Sequence, residues 1–590
     1  MTIAESSGFT KTGRIEEVER LCGDFARHWP DAVRSFDYGR SAEGRLLRAL
    51  LVTRAGAMTP AEIRERKVPV LMVQAGIHPG ESDGKDAGFI ALREMLSGSP
   101  CSAALEHTAI LFVPAFNTDG HERFGRWNRP NQNGPEEMGW RTTAQNINLN
   151  RDYTKADTPE MRAMLRLISE WDPLVCADLH VTDGADFQPD ISIQVEPLNQ
   201  GDPSLRSAGR ELRDGLVEHL NAQGCLALDF YPDLAVTDDP SSGFSVTVYS
   251  PRFSTGYFPQ RNRFTVLVET HSWKPYAKRV HAMKNAVLDL SERVATRGNE
   301  WRKLAMRADD DASSLAGTEL TVDYTSGWRE TVKVGEAALN PDANAAARMI
   351  DFKGYAYTRM PSPISGTLVT KYDPKTPQIW HVPLRDQVNS ALNVTVTKGG
   401  FIVPVAFAAE ISSRLAAHGI QFDVVRERKN GIAARMFRAT TVTFSSGPFE
   451  GRLRSTLHGA WVEQQSDIPE GSLYIPVKQP LARLIVALLE PQAPDSFASW
   501  GFFNACFEQK EQMEPYVAEI AAAGILSRNP AIAAALTKRT QDDAGFAGDP
   551  TARLQFVLRH HESWDARYNV YPVLRVETPL PEGAPPCVCG

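Results

Sequence analysis

Four short segments of the chain carry side chains that bind metal ions or move protons. The first, VLMVQAGIHPGE, covers residues 70–81 and ends with His78 and Glu81 after an apolar run. An apolar run followed by glycine and proline predicts a buried strand that ends in a turn. Zinc binds imidazole and carboxylate ligands, so His78 and Glu81 are candidate ligands. On its own, the His-x-x-Glu spacing more often marks a turn histidine and a helix-capping glutamate.

A second segment, VCADLHVTDG, places His180 at the end of another apolar strand. Ligands of open α/β sheets lie at the carboxyl ends of the strands, which favours a site residue over a buried core histidine. Asp178 is two residues earlier and is therefore expected on the same side of the strand. Carboxylates placed in this way often orient a metal-binding histidine.

A third segment, FTVLVETHS, carries Glu269 at the end of an apolar strand. A buried carboxylate is costly unless it is paired. Next to a zinc ion, however, a carboxylate can take a proton from water. The alternative is a solvated glutamate at the end of a surface strand.

The fourth segment, NLNRD, contains Asn150 and Arg151 after a long polar loop rich in glycine and proline. A guanidinium beside an amide can bind a carboxylate through parallel hydrogen bonds. Taken alone, the pair fits a structural loop arginine better than a substrate-binding one.

The elements that must position these residues alternate between strand and helix. Buried strands are predicted at 68–73, 109–114, 174–180 and 263–270, a hairpin at 34–52, and helices at 13–28, 83–96, 160–171, 207–223 and 280–294. This alternation predicts an α/β fold with a mixed, largely parallel central sheet flanked by helices.

The pattern changes after an acidic, polar stretch at 308–314, which we interpret as a linker. Strand-like segments follow at 331–334, 366–370 and 392–397, and helical segments at 406–418 and 508–523. A chain of 590 residues is expected to form two domains or more. We predict a catalytic domain at 13–305 and a smaller, mixed α+β accessory domain of unknown role at 315–590.

Composition excludes several classes of function. The net charge of −8 argues against a general nucleic-acid binder, and no apolar run approaches the ~18 residues of a membrane span. Seven irregularly spaced cysteines predict no disulfide framework. Residues 1–14 lack the apolar core of a signal peptide, so the sequence as it stands predicts a cytoplasmic protein. Secretion stays open if the start is incomplete.

Taken together and in their order along the chain, the four segments resemble the zinc metallocarboxypeptidases of the carboxypeptidase A/B type. That family carries His-x-x-Glu, then an Asn-Arg pair, then a lone histidine, then a catalytic glutamate on a late strand. YGRSAEGR at 38–45 looks like its lead-in motif, and NTDG at 117–120 looks like its Asn-Pro-Asp-Gly with threonine in place of proline. The resemblance covers roughly residues 13–300 and suggests a divergent member with an added C-terminal domain.

The resemblance implies one zinc ion per chain, held by His78, Glu81 and His180. Three protein ligands leave a fourth position for water, as in catalytic rather than structural zinc sites. By the same resemblance, Glu269 is the general base that activates this water and later protonates the leaving amine.

The resemblance also implies the groups that bind substrate. Asn150 and Arg151 would hold the free C-terminal carboxylate of a peptide. A further arginine would polarise the scissile carbonyl; Arg141 is our candidate, while Arg123, Arg126 and Arg129 stay open. The family has a tyrosine on a mobile loop, for which we favour Tyr257 over Tyr249.

Two other functions fit the same residues. A zinc-dependent deacylase or amidohydrolase, as in the related succinylglutamate desuccinylase and aspartoacylase group, would keep the metal site and change the substrate. A non-catalytic peptide-binding protein would have a degenerate first half. The presence of all the expected site residues disfavours that reading, since a decayed site should have lost at least one.

Overall fold

The computed structural model describes residues 1–326 and 347–580, and an eight-stranded sheet lies at its centre. The strands of the first half are β1 (Val33–Arg40), β2 (Leu46–Val52), β3 (Val70–Ala75), β4 (Ala109–Val113), β5 (Val175–Val181), β6 (Ile191–Glu196), β7 (Ala227–Leu228), β8 (Phe244–Ser245) and β9 (Phe264–Thr270). The sheet has the order β1-β2-β4-β3-β5-β9-β6-β7. Its four central strands, β4, β3, β5 and β9, are parallel, whereas β1–β2, β2–β4 and β6–β9 pair antiparallel. The α/β fold with a largely parallel central sheet is confirmed.

Helices cover the sheet. They are α1 (Ile3–Ser6), α2 (Ile15–His28), α3 (Pro60–Arg66), α4 (Asp83–Leu96), α5 (Thr118–Glu122), α6 (Pro159–Trp171), α7 (Arg206–Ala222), α8 (Ser254–Gln260) and α9 (Tyr276–Ala312). The linker predicted from residue 308 is wrong over 308–312, because α9 continues through it. Asp309, which contributes to the acidic composition of that stretch, accepts hydrogen bonds from Asn262 and Arg263 instead of facing solvent alone.

The second half contains several smaller sheets. Its strands are β10 (Glu319–Thr325), β11 (Arg348–Pro361), β12 (Leu368–Arg385), β13 (Asn389–Thr395), β14 (Gly400–Val403), β15 (Asp423–Val424), β16 (Lys429–Phe444), β17 (Ser455–Ile468), β18 (Leu473–Pro476) and β19 (Val570–Val576). Its helices are α10 (Val405–His418), α11 (Ala482–Leu489), α12 (Pro515–Arg528), α13 (Pro530–Asp542), α14 (Ala544–Ala547) and α15 (Pro550–Leu558). Six of the strands form one sheet in the order β15-β18-β14-β19-β16-β17.

The predictions for this half are mostly confirmed. The segments at 366–370 and 392–397 overlap β12 and β13, and the helix at 406–418 is α10. The helix predicted from residue 508 begins only at Pro515. The strand predicted at 331–334 lies outside the described residues. Within the described ranges no single helix combines the length and hydropathy of a membrane span; α12 and α13 do so only as a pair, which is bent by 112°.

Successive side chains of a strand point to opposite faces of the sheet. Both faces of the central sheet are buried. Val73 of β3 packs in a cluster with Phe89 of α4, on the face covered by α4 and α9. Its neighbour Met72 packs on the other face, in a cluster that includes Leu165 of α6 and Leu415 of α10. One hydrophobic core is therefore shared between the two halves of the chain, and the division into domains at 305 and 315 stays a prediction.

Asp157 joins the two halves through charged hydrogen bonds. Arg452 donates to both of its carboxylate oxygens at 2.7 Å, and Arg414 donates to Oδ1 at 2.9 Å. Burial alone would raise the pKa of Asp157, but the hydrogen bonds from Arg452 and Arg414 and the charge of Lys155 hold it well below its usual range. The ionised form of Asp157 therefore stabilises the folded chain.

Replacing Asp157 by asparagine is expected to lower the free energy of unfolding by about 2–3 kcal/mol at pH 7, because charge-assisted hydrogen bonds are lost. A carboxyl whose pKa is depressed on folding stabilises above its unfolded value of ~3.9 and stops doing so as pH falls through its folded value. The difference in the free energy of unfolding between wild type and Asp157→Asn should therefore narrow below pH ~4. Urea denaturation of both proteins at pH 7 and pH 3.5 measures this difference. The control, Asp467→Asn in the exposed pair with Arg428, should change little; a difference that widened at low pH would contradict the prediction.

Candidate active site

The turn after β3 carries His78 and Glu81. Gly76 has φ of 67°, and a Cβ there would lie 3.2 Å from the backbone of Ala115, so glycine is the residue that fits this close approach. The Glu81 N–H then donates to the carbonyl of His78 at 2.9 Å, which closes the turn just before α4 begins. Both side chains consequently stand at the carboxyl end of β3.

The two other candidate side chains lie on neighbouring strands. His180 on β5 and Glu269 on β9 are direct partners in the parallel pairing of these strands. Partners in register project to the same face of a sheet. Since β3 is the other neighbour of β5, the four side chains meet at one edge of the sheet.

His78, Glu81 and His180 form a buried group that could hold a metal ion. The Nδ1 atom of His78 lies 2.9 Å from Glu81 Oε1, and the Nδ1 atom of His180 lies 3.0 Å from Glu81 Oε2. The exposed fraction of each of the three residues is 3% or less. Two imidazoles and a carboxylate are a donor set that zinc accepts.

The state of these three side chains fits a cation. His78 Nδ1 is buried and has no hydrogen-bond partner among the described residues, although Glu81 is close. Burial lowers the pKa of His78 to about 3, so its imidazole is neutral near pH 7. Burial also lowers the pKa of His180, but Asp178 and Glu81 raise it well above its usual range, so this spot favours positive charge. A divalent ion bound here would supply that charge.

The outer nitrogens of both histidines face oxygen acceptors. His78 Nε2 lies 3.1 Å from Asn148 Oδ1, and His180 Nε2 lies 3.0 Å from Asp178 Oδ2. With a metal ion bound, a ring proton on each Nε2 would leave each Nδ1 with a lone pair directed at the shared centre, as in other metal sites. Asp178 is where the sequence predicts it, whereas the part played by Asn148 was not predicted.

Asp178 is itself held firmly. Gln74 donates to its Oδ1 at 2.8 Å and Ser254 donates to its Oδ2 at 2.5 Å. Tyr153 in turn donates to the amide oxygen of Gln74 at 2.8 Å. The four residues form a buried polar network behind His180.

A cavity of about 170 Å³ opens beside this group. It is lined by His78, Glu81, Arg141, Asn150, Arg151, His180, Val181, Asp183, Tyr231, Tyr249, Phe253, Ser254, Thr255, Leu267 and Glu269. The structure thus brings together all the site residues that the sequence proposes except Tyr257.

Arg151 presents a guanidinium to the cavity. It lies over the ring of Phe253, 4.1 Å from the centroid, and donates to the carbonyl of Asn150 at 2.7 Å. Burial and the nearby charges of Arg252 and Arg141 lower the pKa of Arg151 to about 10, which still leaves it cationic at pH 7. Three clustered arginines favour an anion, and a peptide carboxylate is one that fits.

The four arginines considered for polarising the scissile carbonyl of a substrate have different surroundings. Arg141 lines the cavity, and its Nη1 lies 3.4 Å from Glu81 Oε1. Arg129 is buried behind the site, where it donates to Glu81 Oε1 at 2.6 Å and to the carbonyl of Val181 at 2.9 Å. Arg123 and Arg126 lie over tryptophan rings. Of the four arginines only Arg141, whose side chain is 35% exposed against 6% for Arg129, lines the described cavity.

The choice of Tyr257 is corrected by its surroundings. Tyr257 is completely buried, and its hydroxyl lies 2.9 Å from His418 Nδ1 of α10. The side chain packs between the two halves of the chain and does not line the described cavity. Tyr249, the alternative, lines it, as does Tyr231, for which the sequence offers no signal.

Glu269 is buried beside the proposed ligands. Its Oε2 has no hydrogen-bond partner in the part of the chain that the structure describes, and 9% of the residue is exposed. Burial raises the pKa of the Glu269 carboxyl, and the carboxylates of Glu81 and Asp183 add to the effect. A carboxyl whose pKa is raised toward neutral pH, with an unpaired oxygen facing a cavity, can both accept a proton from a bound molecule and return it.

Comparison with known proteins finds similarity to one family. The family model described as zinc carboxypeptidase matches residues 18–189, a span that contains His78, Glu81 and His180 and ends before Glu269. Carboxypeptidase 2 of Trichophyton rubrum is 22% identical over 473 residues, covering 78% of this chain and 79% of the relative. Carboxypeptidase 2 of Trichophyton equinum is 22% identical over 440 residues, covering 73% of each. The solved carboxypeptidase A of Helicoverpa armigera is 15% identical, covers 51% of this chain and 74% of its own, and has a TM-score of 0.36.

The buried group of two histidines and a glutamate, which could hold a metal ion, agrees with this similarity. Residues 18–189 match the zinc carboxypeptidase family, and the chain is a divergent relative of the carboxypeptidases named above.

Proposed function

We propose that this protein is a zinc-dependent carboxypeptidase that hydrolyses the C-terminal peptide bond of peptides. The observation that carries the proposal is the convergence of His78, Glu81 and His180 beside a cavity that also contains Arg151 and Glu269. The first three residues would hold one zinc ion. The chemistry that zinc supplies when bound is activation of water and polarisation of a carbonyl.

We assign recognition of the C-terminal carboxylate of the peptide substrate to Arg151 and Asn150. The Arg151 guanidinium offers a planar pair of donors to a carboxylate, and Asn150 lines the cavity beside it. Phe253 beneath the guanidinium limits its movement. This arrangement would place the last residue of a peptide in the cavity and its scissile bond toward Glu269.

We assign proton transfer to Glu269. Its unpaired oxygen would take a proton from the attacking water, and the same carboxyl would then donate that proton to the nitrogen of the leaving amino acid. Arg141 would donate hydrogen bonds to the carbonyl oxygen as negative charge develops on it. The products are a shortened peptide and a free amino acid.

The test is a metal analysis together with a substrate comparison read by mass spectrometry. We expect about one zinc per chain, loss of activity with a chelator, and release of single C-terminal residues from peptides with free carboxylates. Peptides with an amidated C-terminus should be poor substrates, because they lack the charge that Arg151 would bind. Cleavage of N-acyl amino acids with peptides left intact would favour a deacylase, and protein that takes up no zinc would overturn the proposal.

A further inference from the structure

The turn between β16 and β17 reaches from the second half to the active site. Gly451 in this turn approaches the first half so closely that a Cβ on it would lie 3.2 Å from Ile147 Cδ1. Arg452, the next residue, is bound to both oxygens of Asp157. The turn is therefore docked on the loop that precedes Asn150 and Arg151.

Glu450 accepts the hydrogen bond that links this turn to the candidate active site. Its Oε2 accepts a hydrogen bond of 2.8 Å from the backbone N–H of Asn148, 302 positions away in the sequence. Glu450 has φ of 49°, in the left-handed region where side chains other than glycine are uncommon. A residue other than glycine in this conformation is held there by its surroundings, and the hydrogen bond from Asn148 is one such restraint.

Asn148 connects Glu450 to the candidate active site. Its Oδ1 lies 3.1 Å from His78 Nε2 and also accepts the N–H of Asn150 at 2.9 Å. The amide of Asn148 therefore orients one proposed zinc ligand and one proposed substrate-binding residue. The charge of Glu450 also acts on Arg151, where it opposes the effects of burial, Arg252 and Arg141 on the pKa of Arg151.

We propose that Glu450, supplied by the second half of the chain, is a positioning residue that holds Asn148 so that His78 is correctly oriented to bind zinc. The proposal rests on the proposed function and assigns a role to the second half: it completes the scaffold of the active site. Contacts behind a metal-binding histidine orient its ring and raise its basicity, and their loss weakens metal binding.

Glu450→Gly separates positioning from folding. Glycine adopts a positive φ without strain, which offsets the lost hydrogen bond, so this variant should fold with a melting temperature close to that of wild type while it lacks the acceptor. We expect its zinc dissociation constant, measured by competition with a chelator, to rise about three- to tenfold. Asn148→Ala, which removes the direct contact with His78, should raise it about 10–100-fold.

Two variants serve as controls. Glu450→Gln keeps an acceptor for the Asn148 N–H and should stay within about twofold of wild type in zinc affinity. Glu463→Ala removes a carboxylate from an exposed ion pair with Arg435 on the same hairpin, with no contact to the site, and should leave zinc affinity unchanged.

The outcomes distinguish the inference from the proposed function. A Glu450→Gly protein that fails to fold, or that folds and binds zinc as wild type while Asn148→Ala binds it weakly, overturns the inference alone. Wild-type protein that takes up no zinc overturns the proposed function and the inference with it. Weaker zinc binding in Glu450→Gly at unchanged melting temperature, with Glu450→Gln near wild type, is the supporting result.

Discussion

Glu269→Gln is expected to retain zinc and to lower kcat for a C-terminally free peptide by about 10²–10⁴-fold. The substitution preserves the size of the side chain and removes its capacity to accept a proton, and proton transfer contributes a factor of this order. Zinc binding should survive because the donors lie on His78, Glu81 and His180, while Glu269 occupies the neighbouring strand.

The measurement pairs steady-state kinetics with metal content on the same protein sample. Glu218→Gln makes the same chemical change on the exposed side of α7 and should leave both quantities unchanged. If Glu269→Gln turned over peptide at the wild-type rate, the general base would have to be another group. If instead it lost zinc, the residue would belong to the metal site.

Arg151→Ala is expected to lower kcat/KM for peptides with a free C-terminus by about 30- to 3,000-fold. Truncating one partner of a buried, hydrogen-bonded charge pair costs several kcal/mol, since the other charge is left unpaired. Peptides with an amidated C-terminus, which carry no such charge, should lose much less. The variant is therefore expected to discriminate poorly between peptides with a free C-terminus and peptides with an amidated one.

Arg151→Lys provides the matched control for charge. Lysine keeps the positive charge but offers a compact ammonium in place of the planar fork, so an intermediate loss is expected. Equal losses for acid and amide substrates in Arg151→Ala would show that Arg151 supports the fold of the cavity and does not bind the chain end.

The second half has a closer relation to the site than an appended domain would have. Tyr257 beneath the cavity binds His418, Asn148 binds Glu450, and the Arg252 side chain near Arg151 donates to Asp495 at 2.9 Å. Each of these contacts joins a residue of the first half to one of the second. Removal of residues 315–590 is consequently not a neutral truncation, because it would expose one side of a shared core.

Local pattern alone determined much of this protein. Apolar runs bounded by turn residues predicted β3, β5 and β9, because a strand buried on both faces leaves such a run in the sequence. The same runs indicated that His78, His180 and Glu269 stand at strand ends, and the structure places them there. Helices such as α4 and α6 followed from the 3.6-residue spacing of their apolar side chains.

Other features were decided only by tertiary structure. Tyr249 and Tyr257 are eight residues apart in similar sequence surroundings, and it is the packing of α10 against Tyr257 that leaves Tyr249 to the cavity. Arg129 and Arg141 both lie in one irregular loop and both approach Glu81, but packing buries the Arg129 side chain and leaves that of Arg141 partly exposed at the cavity. The Glu450 contact with Asn148 spans 302 positions. Strand and helix periodicity reports which face of an element is buried, but it carries no information about which distant side chain meets it, because that depends on how the elements pack.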